Sequence, residues 1–229
     1  MTRLPRSAGS EPVSLYGPDC LYAGPLFVHQ FAHCWIDFRG IRDQFMREKQ
    51  SDYFKNSREA TFIQREYALR NPRGYKGYDE TCFGFTAGDG PGPATAVVDG
   101  TFRRFAGYAA RGAPYGPDDG TISPSAVIGS LPFAPELALP AIRDICERDH
   151  RIRREYRIPS GLNPTLTIDD PLGWASEGYF GLDQGLIMMM IENYRSQSTW
   201  NLMQQCPWVR IGLRQAGFTG GWLRRRLFG

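Results

Sequence analysis

Apolar residues recur at helical spacing in six stretches of this chain, separated by glycine-rich polar segments. From Pro25 to Phe38 the pattern Leu26, Phe27, His29, Phe31, His33, Trp35 predicts a helix that Pro25 opens and Gly40 follows. Ser51 and Asp52 are good N-caps for a second helix reaching Arg70, just before Asn71-Pro72. Its stripe is Phe54, Ala60/Thr61, Ile63/Gln64, Tyr67 and Ala68. Ser123 to Leu131 reads as a third, with Pro124 in its first turn, and Pro135 to Arg148 as a fourth. Pro140 inside the latter kinks it or occupies an early turn. Asp183 to Trp200 is the strongest helical pattern, and Pro207 to Ala216 closes the set before Gly217. Arg73 to Asp119 is glycine-rich, while Tyr156 to Tyr179 is turn-rich with room for a short hairpin. These patterns predict an all-α fold of six or seven helices whose long loops carry function. The expected organisation is an irregular segment 1–21, a main domain 22–218 and a basic tail 219–229.

Composition narrows the class. At 229 residues, 41% hydrophobic and 22% charged, the chain can bury a sizeable core and carries no disorder signature. Its net charge of +3 is small and dispersed. The single dense run, Arg224-Arg225-Arg226, reads as a solvated terminal segment, so nucleic acid is not an expected partner. Five scattered cysteines (Cys20, Cys34, Cys82, Cys146, Cys206) with no Cys-x-x-Cys pair suggest neither zinc nor a disulfide framework. No run approaches the ~18 apolar residues of a membrane span. Met1 to Ser14 lacks the apolar core of a signal peptide. As written, the chain reads as unexported; an earlier start would make it periplasmic.

Three acidic blocks stand at glycine turns: Gly77 to Pro91, Pro117-Asp118-Asp119-Gly120-Thr121 and Gly181-Leu182-Asp183-Gln184-Gly185. Phe83, Tyr115, Trp174 and Tyr179 lie near them in sequence. Carboxyl groups can move protons at a glycosidic oxygen, and aromatic rings offer faces on which sugars stack. Glu80 is the favoured acid, since burial beside Tyr78 and Phe83 would raise its pKa; a first-turn helix acid is the plain alternative. Asp89, Asp119 and Asp183 are the other carboxyl candidates. Each also has an ordinary use: an Asp-Gly turn for Asp89, and helix or turn caps for Asp119 and Asp183. His29 and His33, four apart, share a helix face; without a third ligand they read as a hydrogen-bonded pair or sugar contacts rather than a metal site. Asp37 with Arg39, and Glu192 with Arg195, read as structural ion pairs. There is no Gly-x-Ser-x-Gly elbow and no phosphate loop.

Taken in order, these segments resemble the glycoamylase-like domain family, which includes bacterial endo-β-1,2-glucanases and the C-terminal part of cyclic β-1,2-glucan synthases. The matching segments include Gly24-Pro25-Leu26-Phe27-Val28-His29-Gln30, Trp35 to Asp43, Asp52-Tyr53-Phe54 and Gly77-Tyr78 to Pro91. They continue through Asp118 to Ile122, Ser130-Leu131-Pro132-Phe133, Leu182-Asp183-Gln184-Gly185 and Met190 to Arg195. The resemblance implies a toroid of six helical hairpins with a sugar cleft at one end. It implies hydrolysis of β-glucan, β-1,2-linked above all, by carboxyl groups and with no cofactor or metal. Glu80 becomes the first choice of acid; His29, His33, Trp35, Phe83, Tyr115, Trp174, Tyr179 and Gln184 become substrate contacts. Phe83 stands where the resemblance leads one to expect tryptophan, and Gly88 where it leads one to expect serine. A full toroid needs twelve helices, so the resemblance implies only its C-terminal half, from a truncated or split protein that associates with a missing N-terminal half or with itself. The competing expectation is a non-catalytic glucan-binding or assembly half-domain.

Overall fold

A computed structural model describes residues 20–155 and 158–224. Most of the irregular segment 1–21, and Arg225 and Arg226 of the basic run, lie outside the described residues. Nine α-helices are present among the described residues, joined by four two-stranded antiparallel pairs.

The first helix, α1, spans Phe27–Trp35 and is shorter than the apolar pattern at both ends. A two-residue strand β1 (Ile41–Arg42) and a short α2 (Gln44–Glu48) follow. The long helix α3 spans Tyr53–Arg70, with the Asp52 carboxylate accepting from Lys55 N at 2.9 Å as its cap. It ends at Asn71, whose left-handed backbone (φ 42°) turns the chain into the loops.

Those loops carry more strand than the sequence reading allows. β2 (Ala87–Gly88) pairs with β5 (Ala109–Ala110). Between them β3 (Ala94–Val98) and β4 (Thr101–Phe105) form a hairpin closed by Asp99-Gly100, both at positive φ. The short hairpin anticipated between 156 and 179 is β6 (Leu162–Asn163) with β7 (Trp174–Ala175).

At the centre lies α4 (Pro124–Gly129), all six of whose residues are buried. Its small side chains let neighbours approach closely. A Cβ on Gly129 would sit 3.0 Å from the Gln30 side chain, and Gln30 Nε2 donates to Ala126 O at 2.7 Å, tying α1 to α4. Next come α5 (Pro135–Arg148), with Pro140 inside it, and α6 (His150–Glu155). The predicted 183–200 helix is two: α7 (Gly181–Arg195) and α8 (Ser198–Gln205), split at Gln197 in the left-handed region (φ 57°). α9 (Pro207–Gln215) and β8 (Thr219–Gly220), which pairs with β1, close the fold. α4 and α1 both pack on α7, and α1 on α3. The largest core cluster lies between α3, the 75–85 loop, α4 and α5, and includes Tyr67, Phe83, Phe85, Val127 and Ile145.

Candidate active site

The three acidic blocks do not converge on one point. Asp118 and Asp119 face inward. Asp118 accepts from the phenols of Tyr67 at 2.8 Å and Tyr78 at 2.6 Å. Asp119 is bound by Arg111 through Nε–Oδ1 at 2.7 Å and Nη2–Oδ2 at 2.8 Å. Burial alone would raise the Asp119 pKa; the Arg111 guanidinium, the Ala106 amide and the Thr121 side chain outweigh it and hold the carboxyl below its ordinary value. Asp119 is thus committed to a cation of the fold.

Glu80 is exposed and bonded to Arg65 of α3 at 3.2 Å. It lines none of the cavities that hold the other acids. The burial expected of it does not occur, because Tyr78 and Phe83 turn into the core while Glu80 turns out. Phe83 is wholly buried, so it offers no face to a sugar. His29 and His33 are also buried. His29 Nε2 lies against Ala23 at 3.1 Å from its N and 3.2 Å from its O. The ring of His33 meets Ser57 Oγ at 3.1 Å and the edges of Phe38 and Phe133. Burial lowers their pKa values to about 4 and about 3, so both rings are neutral at ordinary pH. Trp35 is exposed at the end of α1, and Tyr115 is half-buried away from these cavities. Gln184 Nε2 donates to Ile158 O at 3.0 Å, so its amide secures a loop.

Asp89, Trp174 and Tyr179 do come together. A cavity of about 540 Å³ is lined by Asp89, Trp174, Asp169, Asp170, Glu177 and Arg151. A neighbouring one of about 400 Å³ shares Arg151, Ala175 and Glu177 with it and reaches Tyr179. Together they form a groove lined by Asp89, Asp169, Asp170 and Glu177 and by the rings of Trp174 and Tyr179. Ser176 Oγ donates to Asp89 Oδ2 at 2.7 Å and sets the orientation of that carboxylate. Arg151 is held by Asp149 and Asp170 at 2.7 and 2.9 Å, closing the loop that presents Trp174.

Asp183 sits on the other side of the Gly88–Asp89 strip, in a smaller cavity of about 200 Å³. Its surroundings are mostly apolar: Phe27 and Phe31 from α1, Phe180, Leu182 and Leu186 around α7. Asp183 is the third residue of α7, yet its carboxyl faces Ser125 of α4 at 3.4 Å instead of capping its own helix. Desolvation raises its pKa, only partly offset by the Ser160 and Ser125 hydroxyls. Ser160 joins the two cavities, since its Oγ also accepts from Asp89 N at 3.4 Å. The sequence reading missed Ser160, Ser176, Arg111 and Arg151, none of which stands in an acidic or aromatic block. Asp169-Asp170-Pro171 is a readable acidic turn.

Among the described residues, no three His, Cys, Asp or Glu side chains gather as a metal cluster, and no helix is long and apolar enough to cross a membrane.

Known proteins resemble this chain over nearly all of its length. The Glycoamylase family, described as "Putative glucoamylase", matches residues 7–207. An exo beta-1,2-glucooligosaccharide sophorohydrolase of Parabacteroides distasonis is 30% identical over 84% of this chain and 23% of its own length. A solved "putative glucoamylase" of Bacteroides uniformis is 37% identical, with a TM-score of 0.71 over 88% of this chain and 42% of that one. The endo-beta-1,2-glucanase of Chitinophaga pinensis, solved with sophorotriose and glucose, is 30% identical, with a TM-score of 0.70 over 88% of this chain and 43% of that one. The chain therefore spans less than half the length of each of these relatives. A family match across most of the sequence, joined to this agreement in fold, places the chain in the Glycoamylase family.

Proposed function

We propose that this chain forms one side of a cleft that hydrolyses β-glucan, β-1,2-linked above all, as part of a helical-hairpin toroid. The carrying observation is the pair Asp89 and Asp183, which line two cavities parted by the Gly88–Asp89 strip, each cavity also lined by aromatic rings. Two carboxyl groups flanking a sugar chain are what glycosidic cleavage needs. Asp183 is the proton-transferring group. Desolvation raises its pKa above the ordinary value, which makes it a stronger base when ionised and a donor at milder acidity when protonated. Asp89, oriented by Ser176, lies where Trp174 and Tyr179 can support the sugar rings.

Reducing ends released from linear β-1,2-glucan test this reading. Asp183→Asn and Asp89→Asn should each lower kcat by about 100-fold or more, whereas Glu80→Gln should retain most activity. Loss in Glu80→Gln with retention in Asp183→Asn would reverse the assignment and return the acid to Glu80. A second reading, a glucan-binding half-domain without turnover, draws support from the chain's spanning less than half of its relatives. Binding by calorimetry with no reducing ends released would favour it.

A further inference from the structure

The proposed site has a backing that neither its acidic nor its aromatic residues explain. Arg111 is buried, and six acceptors surround its five N–H groups. Besides the two bonds to Asp119, Nη1 donates to the carbonyls of Gly88 at 3.1 Å and Asp89 at 3.3 Å. Nη2 reaches those of Ala106 and Gly107, each at 3.0 Å. The guanidinium thus grips, from behind, the two residues that divide the groove from the Asp183 cavity. Asp119 is fixed in turn by the amides of Ala106 and Thr121 at 2.9 and 3.1 Å. On the front of the strip, the Asp89 amide meets Ser160, whose hydroxyl also offsets part of the desolvation of the Asp183 carboxyl.

We infer that Arg111, locked by Asp119, is a positioning residue that sets where Asp89 and Ser160 stand relative to Asp183. The inference rests on the reading of Asp89 and Asp183 as the reacting carboxyls. Packing supports it independently. A Cβ on Gly90 would lie 2.0 Å from Arg111 Nη2 and 2.5 Å from Ala106 O, so only glycine lets the guanidinium pass against the strip. At Gly88 the nearest atoms to an added Cβ, in Ser160, are 3.4 Å away, an ordinary contact. The two glycines make different demands because a Cβ on Gly90 would meet the guanidinium and the Ala106 and Gly107 carbonyls, whereas one on Gly88 would meet nothing nearer than 3.4 Å.

Arg111→Lys keeps the charge but cannot span six acceptors from one nitrogen. Gly90→Ala keeps the arginine but puts a Cβ against its Nη2 and against the Ala106 and Gly107 carbonyls that it binds, which displaces the guanidinium sterically; Gly88→Ala is the control. Amide hydrogen exchange at Asp89 is read together with kcat and KM on linear β-1,2-glucan. In Arg111→Lys and Gly90→Ala the Asp89 amide should exchange at least about tenfold faster while the amides of α4 and α7 stay protected. In Gly88→Ala the Asp89 amide should keep its protection. In the first two variants kcat should fall by roughly 10- to 100-fold with KM within about twofold, because misplacement affects the reacting geometry more than the bound sugar. Unchanged exchange at Asp89 in both variants overturns the inference, as does a parallel rise in KM and loss of α4 protection. If Arg111→Lys does not fold, Gly90→Ala decides alone. A strip that loosens as expected, in a protein whose wild type releases no reducing ends, upholds the clamp and sinks the proposed function instead.

Discussion

Asp183 and Asp119 show how one residue type has its pKa moved in opposite directions within a single fold. Both are buried, but Asp119 meets a guanidinium while Asp183 meets hydroxyls and aromatic rings. Desolvation pushes both pKa values up; only at Asp119 is it overcome. The folded chain therefore holds the Asp183 proton more tightly than the unfolded chain, whose ordinary value is 3.8. The stability linked to that proton is fully present below pH 3.8 and is lost as pH rises through the folded value. Asp183→Asn, which cannot ionise, should melt above the wild type near neutral pH while losing activity. The gap should close as pH falls toward 3.8. Thermal unfolding of both proteins across that range checks this, and melting curves that shift in parallel at every pH would refute it. A site that is less stable with its working residue than without it fits a group placed for chemistry.

At the scale of elements, helix positions were largely legible because caps and apolar spacing act locally. Asp52 stands before the stripe of α3 and does cap it, accepting from Lys55 N at 2.9 Å. Its second oxygen accepts from Gly40 N at 3.3 Å, joining the helix to the turn after α1. Asp52→Ala should destabilise the chain by about 1 kcal/mol, toward 2 with the lost Gly40 bond, whereas Asp52→Asn should recover most of it. Chemical denaturation measures both; equal losses in the two variants would mean that the cap contributes little. The break between α7 and α8 was not legible, because Gln197 bears no sign of a left-handed backbone. The β3–β4 hairpin had a sign, Asp99-Gly100 between two β-branched or aromatic runs, but the glycine-rich composition around it read as loop. Site residues were legible by type and not by direction. Asp89, Trp174 and Tyr179 share a groove, while Glu80 and Phe83, three apart, point to solvent and core. Side-chain direction there depends on the Gly77 and Gly84 turns, both at positive φ, and on what the rest of the fold packs against them.

The whole molecule keeps large apolar side chains in water on three successive helices. Leu182 and Met188 of α7, Leu202 of α8 and Trp208 of α9 are 65 to 79% exposed. Scattered apolar residues are normal on a protein surface, but an indole 79% exposed on a helix is a costly one to leave uncovered. The solved relatives share this fold at TM-scores of 0.70 and 0.71 and are more than twice as long as the part matched here. In the proposed toroid, the next hairpins of the ring would cover these helices, and their side chains would be apolar for that reason. The isolated chain should then cover them by pairing with itself. Sedimentation velocity should show a concentration-dependent shift to larger species over roughly 1–100 µM, a range typical of modest apolar interfaces. Met188→Lys with Trp208→Lys should return it to a monomer without lowering its melting temperature, since neither side chain is in the core. A wild type that stays monomeric throughout that range would sever the link between exposed apolar helices and an incomplete ring. It would leave the groove around Asp89 to be explained by this chain alone.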